Sequence, residues 1–343
     1  MKSFDQMIGN GEIDTECYNI LLLTPSQGSA NPDLKHISVQ PVGNRSGHLW
    51  EQFELPAYSK GGLLFCPGNT APCLSLRKGN KTVVTLHDLS FIYFPQAYSL
   101  RFTLLYAFLV DQIIRYANCI ITVSSNEKKR ILSIYPQAEN KLHSVPSAVR
   151  WFTEEQRPAK AAGEESYILF VGSMNRIKNL ENLLEAIFIV HAAFPVTLKV
   201  VGGGSSKVFR KVDLSRILRR VKNIEFLGQI DDRAILHELY VGATMLVMPS
   251  YTESFGFPCI EAMSSGCPVL ASEIGGLRSV CGEAAVYCDP YSPVDIAEKI
   301  YQLWHYPKMR AKYVELGYKQ ARQFTWERTA RETWKILASV ADS

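Results

Sequence analysis

The sequence lacks most of the signatures that assign a chain to a functional class. It has eight cysteines but no Cys-x-x-Cys pair, which argues against a zinc knuckle and a dithiol redox motif. Most of the eight sit in apolar runs, as reduced buried thiols do. No apolar run approaches the roughly 18 residues that a membrane span needs. The first 18 residues are polar and acidic and do not resemble a signal peptide. Charge is nearly balanced, with 37 Lys+Arg against 33 Asp+Glu and a net charge of +4. That excess suits an anionic small molecule or an anionic membrane face and is too weak for a nucleic-acid protein. No Asp-x-Asp is present to chelate a metal–diphosphate, and no Gly-x-Ser-x-Gly anchors a hydrolase. Gly202-Gly-Gly-Ser-Ser-Lys207 lacks the Gly-Lys-Ser/Thr ending of a P-loop and the third glycine of a dinucleotide fingerprint, so it reads as a strand-end turn. No low-complexity tract occurs. These absences give the expectation of a cytoplasmic protein, in which Asn44-Arg-Ser and Asn80-Lys-Thr are chance sequons.

What is present is an α/β pattern. At 343 residues, 47% hydrophobic and 20% charged, the chain is globular and long enough for two domains. Short, continuously apolar runs mark parallel strands buried on both faces. The clearest are 18–23, 63–66, 82–86, 119–123, 167–172, 197–201, 223–227, 245–248, 268–271 and 285–287. Helical patterns lie between them, among them 100–116, 179–194, 232–241, 258–265 and 293–305. This alternation is that of doubly wound, Rossmann-like architecture. The pattern pauses in the polar stretch after Val145-Pro146, and a fresh strand starts at Tyr167. The expected layout is therefore a domain over 1–150, a second over 166–322 and a terminal helix over 323–343. Two such domains facing each other leave a central cleft at the carboxyl ends of their sheets. The helix over 100–116, rich in Phe, Leu, Tyr and Ile, reads as core packing, with contact to a membrane surface as the alternative.

Three places carry residues suited to chemistry. Glu253-Ser-Phe-Gly-Phe-Pro-Cys-Ile-Glu261 spans the end of one strand and the start of a helix. Gly256 allows close backbone approach, and Pro258 suits a first helical turn. The amides of Ser254, Phe255 and Gly256 then form an anion site at a helix N-terminus. Glu261 falls in the first helical turn, where a carboxylate can accept two ribose hydroxyls. Glu253 lies before the helix, about one sugar length from the phosphates. Two carboxylates alone also fit a plain strand–loop–helix unit with surface glutamates; the whole string favours a site. In Val171-Gly-Ser-Met-Asn-Arg176-Ile-Lys178-Asn179, two cations beside a helix capped by Asn179 can neutralise a diphosphate leaving group. In the first domain, His87-Asp88 follows a buried strand, and Asp88 can orient the ring.

These residues together resemble glycosyltransferase family 4. The resemblance rests on Val171-Gly-Ser…Arg176-x-Lys178-Asn-Leu, on Phe226-Leu-Gly-Gln-Ile-Asp-Asp232 and on Glu253-Ser-Phe-Gly…Glu261-Ala-Met-Ser-Ser-Gly-Cys-Pro-Val269. It covers about 166–340 and includes Phe324-Thr-Trp-Glu-Arg328. The amino-terminal half is more loosely similar, through Trp50-Glu-Gln52, Asn69-Thr-Ala-Pro72, His87-Asp-Leu-Ser-Phe91 and Thr122-Val-Ser-Ser125, to bacterial members that build O-antigen and other surface polysaccharides with mannose or rhamnose. The resemblance implies the GT-B fold and a retaining, metal-independent transferase that uses a nucleotide sugar, with GDP-mannose as the leading donor. It implies a glycan or lipid-linked acceptor, peripheral contact with the inner membrane and no separate cofactor. By resemblance Arg176 and Lys178 bind the donor diphosphate, Glu261 the ribose, Glu253 the transferred sugar near its 3-hydroxyl and His87 that sugar from the first domain. Gly228 lies near the base. The family's Gly-Gly loop after the first strand is reduced to Gly28. A nucleotide-sugar epimerase of the same fold and a non-catalytic nucleotide-sugar-binding subunit are the rival readings.

Overall fold

A computed structural model describes residues 1–27, 33–149, 166–204, 208–209 and 213–343. The chain divides into two compact units. The first comprises Met1–Asp88, Leu104–Pro146 and Trp326–Ser343, and the second Leu89–Thr103 and Ser147–Thr325. Among the described residues no helix is long and apolar enough to cross a membrane.

The first unit holds two parallel sheets. β1 (Leu21–Pro25) pairs with β2 (Ser38–Val42). β3 (Leu64–Cys66), β4 (Thr82–Leu86), β5 (Cys119–Thr122) and β6 (Leu142–Ser144) follow one another in spatial order. Val83, Val84, Leu86 and Ile120 are fully buried, as continuously apolar central strands should be. β2 and β6 escape the hydrophobic pattern because Pro41 and His143 interrupt them. The helix Trp326–Asp342 joins this unit: Ala330 and Leu337 enter a core with Phe4, Met7, Val83 and Ile121. The helix Leu100–Tyr116 buries Leu109, Val110, Ile113 and Ile114 but exposes Leu104, Leu105 and Phe108, so core packing accounts for its second half only.

The second unit carries one six-stranded parallel sheet. Its strands are β7 (Tyr167–Val171), β8 (Thr197–Val201), β9 (Ile224–Gly228), β10 (Met245–Met248), β11 (Val269–Ser272) and β12 (Ala285–Cys288). The spatial order is β12-β11-β10-β7-β8-β9. Its core gathers Ile168, Phe170, Leu183, Ile187, Leu198, Val247, Ile296 and Ile300 from the sheet and its flanking helices. β9 departs from the expected burial, since four of its five residues are exposed; it is an edge strand, paired among the described residues with β8 alone. The segment Leu89–Thr103 belongs with this unit. Phe94 stacks on Tyr251 at 5.6 Å, and Tyr98 packs on Phe209 at 4.9 Å.

Candidate functional site

In the second unit the chain leaves β7 towards β8 and β9 on one side, and β10 towards β11 and β12 on the other. The direction of winding therefore reverses between β7 and β10, where open α/β sheets bind ligands at their carboxyl ends. The two strings singled out in the sequence follow these two strands. After β7 comes a 3-10 turn over Arg176–Lys178, held by the Asn175 side chain, whose Oδ1 accepts from the Lys178 amide at 3.2 Å. After β10 comes the loop Pro249–Gly256, and the Tyr251 amide donates to the Ile177 carbonyl at 2.9 Å. Lys178 Nζ meets Glu253 Oε1 at 2.5 Å, although 75 positions separate the two residues. Both side chains are mostly shielded, 19% and 11% exposed, so the pair lies in a medium that strengthens it. Arg176, two positions before Lys178, is exposed, and its charge reaches the Tyr251 hydroxyl.

Glycine geometry brings the loops together. Gly256 sits at φ +82°, ahead of the helix Phe257–Ser264, where an L side chain is strained. Gly276 lets its backbone lie against Glu253, since a Cβ there would stand 1.8 Å from the Glu253 carbonyl oxygen. Phe255 turns inward, with its ring 4.9 Å from Phe257 and 5.4 Å from Phe324. Ser254 is also buried. What Ser254, Phe255 and Gly256 can offer a ligand is backbone at a helix start, where amides lack intrahelical acceptors.

Two local expectations need correction. Glu261 lies in the second turn, because the helix starts at Phe257. Its carboxylate Oε2 accepts a 3.0 Å hydrogen bond from Tyr240 Oη. Burial pushes the Glu261 carboxyl above its ordinary range, while the Tyr240 hydroxyl and the Arg233 charge pull it back. Asn179 sits at the N-cap position but not as a side-chain cap. It is left-handed, at φ 56°, and its Nδ2 donates to the Pro249 and Pro290 carbonyls at 2.8 and 2.7 Å. It thus ties the loop after β10 to the segment after β12. His87 lies in the first unit. Its backbone amide donates to Asn69 Oδ1 at 2.6 Å, and its Nε2 lies 2.8 Å from the Pro67 carbonyl.

Gly228 closes β9 with φ +71°, and its carbonyl accepts from the Gly202 amide at 2.7 Å. Gly28 lies outside the described residues. Among the described residues no group of three or more His, Cys, Asp or Glu is placed to hold a metal ion. Sequence reading missed Tyr240, which looks like any core tyrosine in a helical pattern, and Tyr251, whose stack on Phe94 joins two distant stretches.

Parallel strands that reverse winding at a cation–carboxylate pair, beside a glycine-started helix, form a Rossmann-like unit of the GT-B glycosyltransferase fold. Residues 152–320 match the model of the family described as glycosyl transferases group 1. The chain is 26% identical over 274 residues to the O-antigen chain mannosyltransferase B of Escherichia coli, covering 75% of this chain and 71% of that one. It is 29% identical over 240 residues to a D-inositol 3-phosphate glycosyltransferase of Nocardiopsis dassonvillei, covering 65% of this chain and 56% of that one. Among solved structures, a sucrose-phosphate synthase from Thermosynechococcus elongatus has the same fold, with a TM-score of 0.72 and 20% identity over 98% of this chain and 91% of that one. A UDP-forming α,α-trehalose-phosphate synthase from Burkholderia vietnamiensis matches 78% of this chain and 72% of that one, with a TM-score of 0.60 and 14% identity.

Proposed function

We propose that this chain is a retaining glycosyltransferase that moves a hexose, mannose from GDP-mannose in the leading reading, onto a glycan or lipid-linked acceptor in surface-polysaccharide synthesis. The observation that carries the reading is the Lys178–Glu253 pair at the winding reversal of the second unit. The pair puts a cation for a diphosphate next to a carboxylate for a sugar hydroxyl. Arg176 and Lys178 then stabilise the departing diphosphate together with the amides of Ser254, Phe255 and Gly256. Glu261 accepts the ribose hydroxyls, Glu253 binds the sugar, His87 contacts the sugar from the first unit, and Gly228 lies by the base. The acceptor hydroxyl attacks the face that the diphosphate leaves, and the phosphate oxygen takes its proton. The step then needs neither a covalent glycosyl-enzyme nor a metal, and the two glutamates act as binding groups rather than as the nucleophile and acid of glycosidases. The mannosyl choice draws on the Escherichia coli relative, and peripheral inner-membrane contact on the exposed Leu104, Leu105 and Phe108.

A thermal-shift panel of GDP-, UDP- and dTDP-sugars tests the donor, because a ligand near 100 times its Kd stabilises by about 2.7 kcal/mol. GDP-mannose should give the largest shift, and transfer should survive EDTA. A larger shift with a UDP- or dTDP-sugar overturns the donor choice. The D-inositol 3-phosphate glycosyltransferase relative makes inositol phosphate an acceptor to include beside mannosides. Epimerised donor sugar formed without any acceptor would replace the transferase reading with the epimerase one.

A further inference from the structure

Trp50-Glu-Gln-Phe-Glu54 forms a π-helical turn between two short helices. Such turns make up well under about 1% of residues and concentrate where function needs a side chain re-aimed. Three of its side chains fasten it to backbone. Trp50 Nε1 donates to the Val42 carbonyl at 2.7 Å. Glu54 Oε2 accepts from the amides of Asn44 and Arg45 at 3.0 and 2.9 Å. Gln52 grips the loop after β3 at both ends of its amide: Nε2 donates to the Ala71 carbonyl and Oε1 accepts from the Cys73 amide, each at 2.9 Å.

Glu51 differs from these. Its contacts are with side chains: Oε2 accepts from Thr70 Oγ1 at 2.5 Å, and Oε1 from Gln52 Nε2 at 2.6 Å. Two donors leave part of a carboxylate's roughly four lone-pair directions open. The loop that holds Glu51 also holds His87, through the Pro67 carbonyl and the Asn69 side chain. A single seven-residue stretch, 67–73, thus fixes both groups. Glu51 is half-buried; burial opposes the ionisation of Cys73 and Tyr106, and the Glu51 charge adds to that opposition. Tyr106 Oη in turn lies 3.3 Å from His48 Nε2. A carboxylate with fixed direction, held by the Thr70 hydroxyl, is suited to receive hydroxyl hydrogens.

We infer that Glu51 is an acceptor-recognition residue, which accepts hydrogen bonds from the hydroxyls of a sugar or polyol and is aimed by the π turn and by Thr70. The inference rests on the transferase reading above. It predicts a change in acceptor binding with little change in donor binding. With GDP-mannose as donor, n-octyl α-mannoside and myo-inositol 1-phosphate serve as acceptor probes. Glu51→Gln keeps the shape and the Thr70 contact but removes the charge, so it should raise acceptor KM about tenfold or more while donor KM and GDP affinity move by less than about twofold. Thr70→Val, which frees the carboxylate to swing, should raise acceptor KM to a lesser degree. Glu54→Gln loosens the same turn and should lower Tm without this signature. An unchanged acceptor KM in Glu51→Gln overturns the inference. So do equal losses of acceptor and donor binding, or the same signature in Glu54→Gln, since either means that Glu51 merely shapes the turn. Wild-type protein that binds GDP-mannose yet transfers to neither probe also overturns it. Wild-type protein that binds no nucleotide sugar overturns the transferase reading itself.

Discussion

Glu253 and Glu261 stand eight positions apart in one segment, and their surroundings are opposite. Glu253 lies before the helix and meets a full positive charge, Lys178 Nζ at 2.5 Å. Glu261 lies inside the helix and meets a neutral hydroxyl, Tyr240 Oη at 3.0 Å, in a site whose burial opposes its ionisation. A carboxylate paired with a cation keeps that cation in place until a stronger anion arrives. A carboxylate whose charge is held at some cost gains when ligand hydroxyls donate to it. The first arrangement fits diphosphate departure, and the second fits ribose binding.

The largest effect should come from the cation. If Lys178 stabilises charge that develops on the leaving diphosphate, Lys178→Ala should lower kcat by about 100-fold or more. Steady-state kinetics at saturating donor check this. A raised donor KM with kcat intact would make Lys178 a ground-state contact and erase the contrast between the two glutamates, because both would then serve binding alone.

An intermediate effect should come from Tyr240. Hydrogen bonds to charged groups contribute about 1.5–3 kcal/mol, so Tyr240→Phe should weaken GDP binding about tenfold. The Tyr240 hydroxyl also holds the Glu261 carboxyl down against burial. Without it, Glu261 protonates at higher pH, and the loss of GDP affinity on acidification should begin at higher pH than in the wild type. Calorimetric titration of GDP across a pH series reads both. A uniform loss with no change in pH profile would mean that Tyr240 only fills space.

Much of this site was legible in the sequence, and the reason is local. The β4, β8 and β10 spans agree with the apolar runs, because buried parallel strands admit little else. Gly256 and Pro258 marked the helix start to within one residue, because positive φ and helical first turns select those residue types. What was not legible depends on pairing across distance. Nothing in Arg176-Ile-Lys178 indicates that Lys178 finds Glu253, and Tyr240 is separated from Glu261 by a whole strand. Asn179 has the residue type of a cap, yet tertiary carbonyls at Pro249 and Pro290 outcompete the helix for its amide. The π turn at Trp50–Glu54 has no sequence period of its own, since one extra residue in a helical turn is defined by its anchors.

The smallest effect, and the one most specific to the comparison, concerns stability. Because the folded pKa of Glu261 lies above its unfolded value, the folded state binds the proton more tightly. Its contribution favours folding at pH below the unfolded carboxyl range and is lost as pH rises through the folded value. The ionised carboxylate is therefore a stability cost. Glu261→Gln keeps an acceptor for the Tyr240 hydroxyl and removes the buried charge. It should raise Tm at neutral pH by a few degrees, about what 1 kcal/mol gives in a domain of this size, and the gain should vanish at acidic pH, where the wild-type group is already protonated. The same variant should bind GDP more weakly. Calorimetric Tm at neutral and acidic pH, with and without GDP, measures both sides. A fall in Tm at neutral pH would show that the ionised Glu261 holds the helix together and that its role is structural.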